Sequence, residues 1–401
     1  MVGASFYKPP ATCRDQSLLA TRSAECFRCF RLKVVRFRLQ WLVAEVLMRI
    51  GRSLAKSLWW VMVIASISTS GWAQSSSPGQ TPYHLVKRIV LGGEGGWDYF
   101  TTEPATHRIF IGRGSYVMVL DPSGNVIGKI DVGKDNEAHA VALAPDLHLA
   151  FTSNGGGSSV TVFDPGTLKV VREVKIEGRD TDDIMYEPFT KRVFTFNGGK
   201  GNDATAIDPV RGVVVGRVPL GGKPETAQAD GHGRVFVNIE DKSELSEIDA
   251  QTLKVVHTWP LAPCKNPSGQ AIDVAHSLLI IGCHNGLMEF WDYSNGKVAG
   301  TVPIGKGVDA NRFDPQTGLA FASCGDGTIT VAREDAPDKF SVVQTIDTMK
   351  GARTMALDAD NHNIYSVTSD FGPPPAATPQ NPHPWPTMKP GTFTLMVFSS
   401  H

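Results

Sequence analysis

The sequence predicts an all-β fold, a seven-bladed β-propeller of four-stranded antiparallel blades. Three observations lead there. Seven segments share one plan: a polar residue, an alternating apolar stretch, a turn, then a second strand. They begin at Asp98, His139, Asp182, Glu225, Ser268, Asp309 and Arg353, with spacings of 41, 43, 43, 43, 41 and 44 residues. Within a repeat, Gly, Pro and Asp break the chain into short alternating runs, the pattern of a four-stranded meander. Finally, the two ends of the repeat region each read as part of one blade. A unit of this length cannot bury both faces of its sheet alone, whereas radial stacking lets each sheet cover the next.

Taken in chain order, the first 74 residues stand apart. They carry 11 Lys and Arg against 3 Asp and Glu, while the remainder carries 28 against 37. Met48 to Lys56 is a positive segment, Leu58 to Ile67 an apolar run of ten, and Gly71-Trp72-Ala73 offers small residues before Gln74. That order predicts a signal peptide over 48–74 and a periplasmic or secreted protein. The run is too short for a permanent membrane anchor. Residues 1–47 are then expected to be an upstream extension of a chain that starts at Met48. The Cys26-x-x-Cys29 pair within them has no second pair to complete a zinc site.

Residues 83–401 form the predicted propeller. His84 to Leu91 reads as a fourth strand with no three strands before it, and Thr392 to Phe398 as a third strand with none after. The termini are therefore expected to complete one blade between them, which removes two free sheet edges. Blade two shows the unit. Ala138–Ala144 ends at Pro145-Asp146, Leu149–Asn154 follows, then Val160–Phe163 closed by Asp164, then Val170–Ile176. Third strands end at Asp121, Asp164, Asp208, Asp249 and Asp292. An Asp there can accept a bond from the backbone two residues on and fix the turn.

Phe151-Thr-Ser-Asn154 and Phe194-Thr-Phe-Asn197, followed by Val-Thr-Val-Phe-Asp164 and Ala-Thr-Ala-Ile-Asp208, resemble the repeats of the YVTN (YncE-like) family of exported bacterial seven-bladed propellers. The resemblance spans residues 83–401. Gly221 to Glu225, Pro263-Cys264, Gly282 to Asn285 and Gly351 to Met355 look like markers of one subfamily. It implies fold and export, and it implies no particular chemistry.

In a propeller the inner strands run the same way along the axis, so the seven repeat-start residues should ring one mouth of the channel. Four are carboxylates, and Asp98, Asp182, Glu225 and Asp309 together would repel unless protonated or paired with a cation. His139 and Arg353 can offset part of this charge. A Ca²⁺ or Mg²⁺ held by the four carboxylates could offset the rest, with His139 as candidate acid or base of a lyase or lactonase. Fifteen residues after each ring position the second strand ends, at Arg113, Asn154, Asn197, Glu240, Cys283, Cys324 and Thr368. The following loops belong to the same face. Arg113, Asn154, Asn197 and His284 therefore join the ring residues as candidate ligand contacts. Cys264 enters blade five on this face, so Cys264–Cys283 is the expected disulfide, with Cys283–Cys324 as the alternative. Residues 370–391 hold eight prolines and link two strands of the closing blade, with Phe371 and Trp385 available for apolar contact.

No GxSxG, HExxH, Walker or CxxCH motif is present. The acidic propeller region gives no electrostatic reason to expect nucleic acid. The expected function is an exported, monomeric scaffold that binds a small molecule or another exported protein at the channel mouth. The alternative is the metal-dependent enzyme.

Overall fold

In a computed structural model, residues 82–199, 201–378, 384 and 386–401 are described. The upstream extension, the signal peptide, Cys26, Cys29 and Trp385 lie outside them. Seven four-stranded antiparallel sheets are present, six of them meanders of four consecutive strands and the seventh completed by a strand from the N-terminal end. From blade 1 to blade 7, the inner strands are Phe100–Thr102, Ala138–Ala144, Thr181–Glu187, Pro224–Ala229, Pro267–Asp273, Val308–Asp314 and Met355–Asp358. Among the described residues no helix is long and apolar enough to cross a membrane.

Alternation along each strand builds the ring. In blade 1, Ile109 and Ile111 pack with Tyr365, Val367 and Leu395 of blade 7. Phe110, between them in sequence, packs with Ala150 and Phe163 of blade 2. Successive side chains point to opposite faces, and in this arrangement both faces meet another blade. The repeats are therefore apolar on both sides of the middle strands. The outer strands are the exception: Val126, Ile127, Val170 and Val171 are exposed there.

Blade contacts at the rim use a small residue against a large one. Gly128 lies where a side chain would strike Leu168 of the next blade, and Gly216 where one would strike Leu253. Both leucines adopt left-handed backbone, φ 59° and 57°, at the end of turns capped by Asp164 and Asp249. These carboxylates accept from Gly166 N at 2.7 Å and Gln251 N at 2.9 Å. Asp208 and Asp292 likewise cap two residues on, at 3.1 and 2.8 Å. Asp121 differs, accepting from Asn125 N four residues on at 2.9 Å. Its turn instead passes through Pro122, Ser123 and Gly124, the last at φ 87°.

The closing blade is shared between the chain ends. His84–Val90 pairs with Thr394–Ser399 from His84↔Ser399 to Val90↔Thr394. Tyr83 extends the hold to blade 6: its backbone N donates to Gln344 Oε1 at 2.9 Å, its carbonyl accepts from Gln344 Nε2 at 2.6 Å, and its ring stands edge-on to Phe321. Cys264 and Cys283 form the expected disulfide, their Cα atoms 5.4 Å apart. Cys324 is buried and unbonded, so the Cys283–Cys324 alternative is set aside.

Candidate functional site

The seven ring residues sit at the entrances to the inner strands, and two runs of them are in contact, Asp98–His139–Asp182 and Ser268–Asp309–Arg353. His139 Nδ1 lies 2.7 Å from Asp98 Oδ2 and 3.3 Å from Asp182 Oδ1. Arg353 Nε lies 2.9 Å from Asp309 Oδ2. Asp309 Oδ1 accepts from Tyr99 Oη at 3.1 Å and from Ser268 Oγ at 3.3 Å. Glu225 meets Lys223 Nζ, which also contacts Glu240 Oε2 at 2.6 Å.

These contacts revise the expected cation cage. Asp98, His139 and Asp182 present ligand atoms within 4.8 Å of one another, but Glu225 and Asp309 do not join them. Each of the four carboxylates instead meets a cationic side chain of the protein. The electrostatics follow. Burial disfavours a charged imidazole, but bonds to Asp182 and Asp98 outweigh it and push His139 up to about 11. The two flanking carboxylates thus favour the protonated imidazole, which has no lone pair to accept a proton. Burial pushes Asp98 up to about 6 against the pull of His139. Burial, followed by the Asp182 charge, pushes Glu225 up to about 9 despite Lys223. Burial works to raise the Glu240 carboxyl, but Lys223 and the neighbouring Glu225 hold it below the usual range. Asp183, next along the strand, is raised to about 7 by burial.

A pH dependence follows from Glu225 and His139. The folded Glu225 keeps its proton up to about 9, while an ordinary glutamate releases it near 4.5. Its contribution to stability is therefore full below 4.5 and falls as pH rises toward 9. The His139 contribution is full below 6.5 and is lost as pH rises toward 11. The steepest slope is about 1.4 kcal/mol per pH unit for each group. Melting temperature should fall from pH 5 to pH 9, and Glu225→Gln should flatten that fall, with the variant melting above the parent at the alkaline end. Thermal unfolding across this range checks both.

Three expected ligand contacts are occupied within the fold. Arg113 is 1% exposed. Its guanidinium donates to the carbonyls of Gly95 (2.6 Å), Gly96 (3.1 Å), Glu94 (3.2 Å) and Gly92 (3.4 Å) and lies 3.8 Å over the Phe393 ring. It holds the loop before the ring instead of facing a ligand. The Asn154 amide meets Ser159 and Thr161 within its own blade at 3.0 and 2.9 Å. Asn197 Nδ2 donates to Asp203 and Thr205 at 2.6 and 3.0 Å. At a strand end these polar side chains satisfy one another inside the sheet.

His284 does border open space. A cleft of about 870 Å³ lies on the ring face, lined by His284, Trp97, Lys306, Val308, Asp309, Asp326, Arg353, Phe371, Pro386 and Met388. The proline-rich segment supplies one wall and is tied at its base. Gly372 N donates to Thr387 O and Lys389 N to Asp370 O, both at 2.8 Å. Trp97 packs between Phe371 and Phe393, with ring centroids 6.2 and 5.3 Å away. The sequence reading missed Trp97, Lys223, Lys306 and Met388. A signal existed for the first three: each lies within three residues before a ring position, where the chain enters an inner strand.

No protein-family model matches this chain, and no curated protein matches it in sequence. Many solved structures match it in shape, 1844 chains in all. One is a chain of a mitotic checkpoint complex crystal structure, with a TM-score of 0.65 and 12% identity over 84% of this chain and 98% of that one. Another is hydrazine synthase of Kuenenia stuttgartiensis, with a TM-score of 0.59 and 18% identity over 68% of this chain and 92% of that one. At such identities the likeness is one of fold, and it supports the propeller without selecting a function.

Proposed function

We propose that this propeller is an exported binding protein whose ring-face cleft holds a small organic ligand with an apolar, aromatic-sized body and an anionic end. The cleft carries the reading. Its volume falls within the range of small-molecule sites, and such sites pair apolar walls with a few polar groups. Trp97, Phe371, Pro386 and Met388 form the apolar side. Lys306 lines the same cleft, and its ammonium makes no ion pair within 4 Å among the described residues. The Arg353 guanidinium also lines it, paired with Asp309. Export is supported by the order of residues 48–74 and by the Cys264–Cys283 bond, which suits an oxidising compartment.

The test uses 2-naphthoate as probe and the fluorescence of Trp97 as readout. Saturable quenching is expected, weakened about three- to tenfold by Lys306→Ala and more by Trp97→Ala measured calorimetrically. The reading fails if the neutral 2-naphthamide binds equally well, or if naphthoate does not saturate.

A further inference from the structure

We infer that the channel beyond the ring, entered from the opposite face, is a second binding site that takes an apolar α-amino acid, its carboxylate on Arg312 and its ammonium on Asp183. The cavity has a volume of about 560 Å³, and both charged side chains line it. They influence each other electrostatically, since the Asp183 charge holds the Arg312 pKa up against burial. Yet the two make no ion pair within 4 Å. Arg312 has no other carboxylate at that distance among the described residues.

Donor and acceptor capacity remains on both groups. A guanidinium has five N–H donors. Arg312 is seen to place Nη1 on Asn311 O at 2.7 Å and Nη2 on Phe100 O at 3.4 Å. A carboxylate has about four acceptor positions. Asp183 accepts from Ile184 N at 2.9 Å and Ala227 N at 3.0 Å. Separated opposite charges in a low-dielectric channel are costly unless something bridges them. A zwitterion does so without adding net charge, whereas a simple anion would meet Asp183 and a simple cation would meet Arg312.

A third polar group points the same way. Gln270 is 1% exposed and lines this cavity, and neither its amide nitrogen nor its amide oxygen has a hydrogen-bond partner. A buried amide in that state is expensive, and a ligand carboxylate or ammonium is a suitable partner. The lining also includes Met185, Ile272, Val274 and Phe313, interspersed with Tyr186, Gln228 and Asp230. The apolar members are the contacts available to an aliphatic side chain. The site shares no lining residue with the ring-face cleft and does not depend on it.

The experiment is calorimetric titration of the full chain with leucine, with 4-methylpentanoate (leucine without its amine) and with 3-methylbutylamine (leucine without its carboxylate). Leucine should bind saturably and raise the melting temperature, and each single-charge analogue should bind at least about tenfold more weakly. Arg312→Gln and Asp183→Asn should each weaken leucine about ten- to hundredfold, with partial recovery in Arg312→Lys. Should a variant not fold, the comparison of the three compounds on the parent protein decides alone. Absence of saturable leucine binding, or equal binding of either analogue, overturns the proposal. So do variants that bind leucine like the parent. The naphthoate titration reads the other face, so either site can fail while the other stands.

Discussion

Removal of residues 82–90 should abolish cooperative folding and leave aggregated or protease-sensitive material. No single substitution should have a comparable effect. The segment supplies the outer strand of blade 7 along the register from His84↔Ser399 to Val90↔Thr394. Without it, Thr394–Ser399 becomes a bare edge next to the core residues Leu395, Met396, Val397 and Phe398. Tyr83 leaves as well, and with it the bonds to Gln344 and the contact with Phe321 that fasten the segment to blade 6. An exposed edge of apolar strand recruits other chains. Circular dichroism and size-exclusion chromatography will register the loss. A synthetic peptide of residues 82–92 added during refolding should restore monomeric protein. A truncated chain that melts cooperatively near the parent temperature would show that the ring holds without this strand.

Arg113→Met should destabilise the protein by about 3–5 kcal/mol, a large effect for one side chain. The guanidinium is fully buried and is the common donor to the carbonyls of Gly92, Glu94, Gly95 and Gly96. Methionine keeps much of the volume but leaves those acceptors without this donor and removes the cation over the Phe393 ring. Arg113→Lys should rescue little, because one ammonium cannot replace a planar fork across four carbonyls. The same loop leads directly into Trp97. Naphthoate affinity should therefore fall in Arg113→Met, although the side chain does not line the cleft. Denaturant unfolding and the fluorescence titration separate the two effects. A stability within 1 kcal/mol of the parent would mean that water replaces the guanidinium at the loop carbonyls.

The contrast between Arg113 and Asp98 shows what could be read from the sequence and why the rest could not. Repeat spacing located Asp98 and its six equivalents at one mouth, because a fixed period in a closed ring translates directly into a fixed height along the axis. The same reasoning carried the Cys264–Cys283 pair and the clasp of the termini. Arg113, Asn154 and Asn197 lie at equally regular positions, but regularity does not reveal which way a side chain turns. In an ordinary half-exposed sheet, polarity marks the solvent side. Here neighbouring blades cover both faces, so a polar residue at a strand end is as readily a buried tie as a ligand contact. His139 and Arg353 were legible as partners of the ring carboxylates, but the cation beside Glu225 was not. Lys223 lies two residues before Glu225 in the loop, out of phase with the repeat, and only the folded loop brings its ammonium to both Glu225 and Glu240. Arg312 lies beyond the repeat-start position on a strand that mixes polar and apolar residues, so no motif drew attention to it.

Tyr99 gives the channel a direction. It springs from blade 1, reaches Asp309 of blade 6 with its hydroxyl and lines the far cavity, while Asp309 borders the near cleft. Blade 7 lies between blades 1 and 6, so this phenol ties next-nearest neighbours of the ring at the boundary between the two cavities. Tyr99→Phe removes this tie while leaving the lining of both cavities otherwise in place.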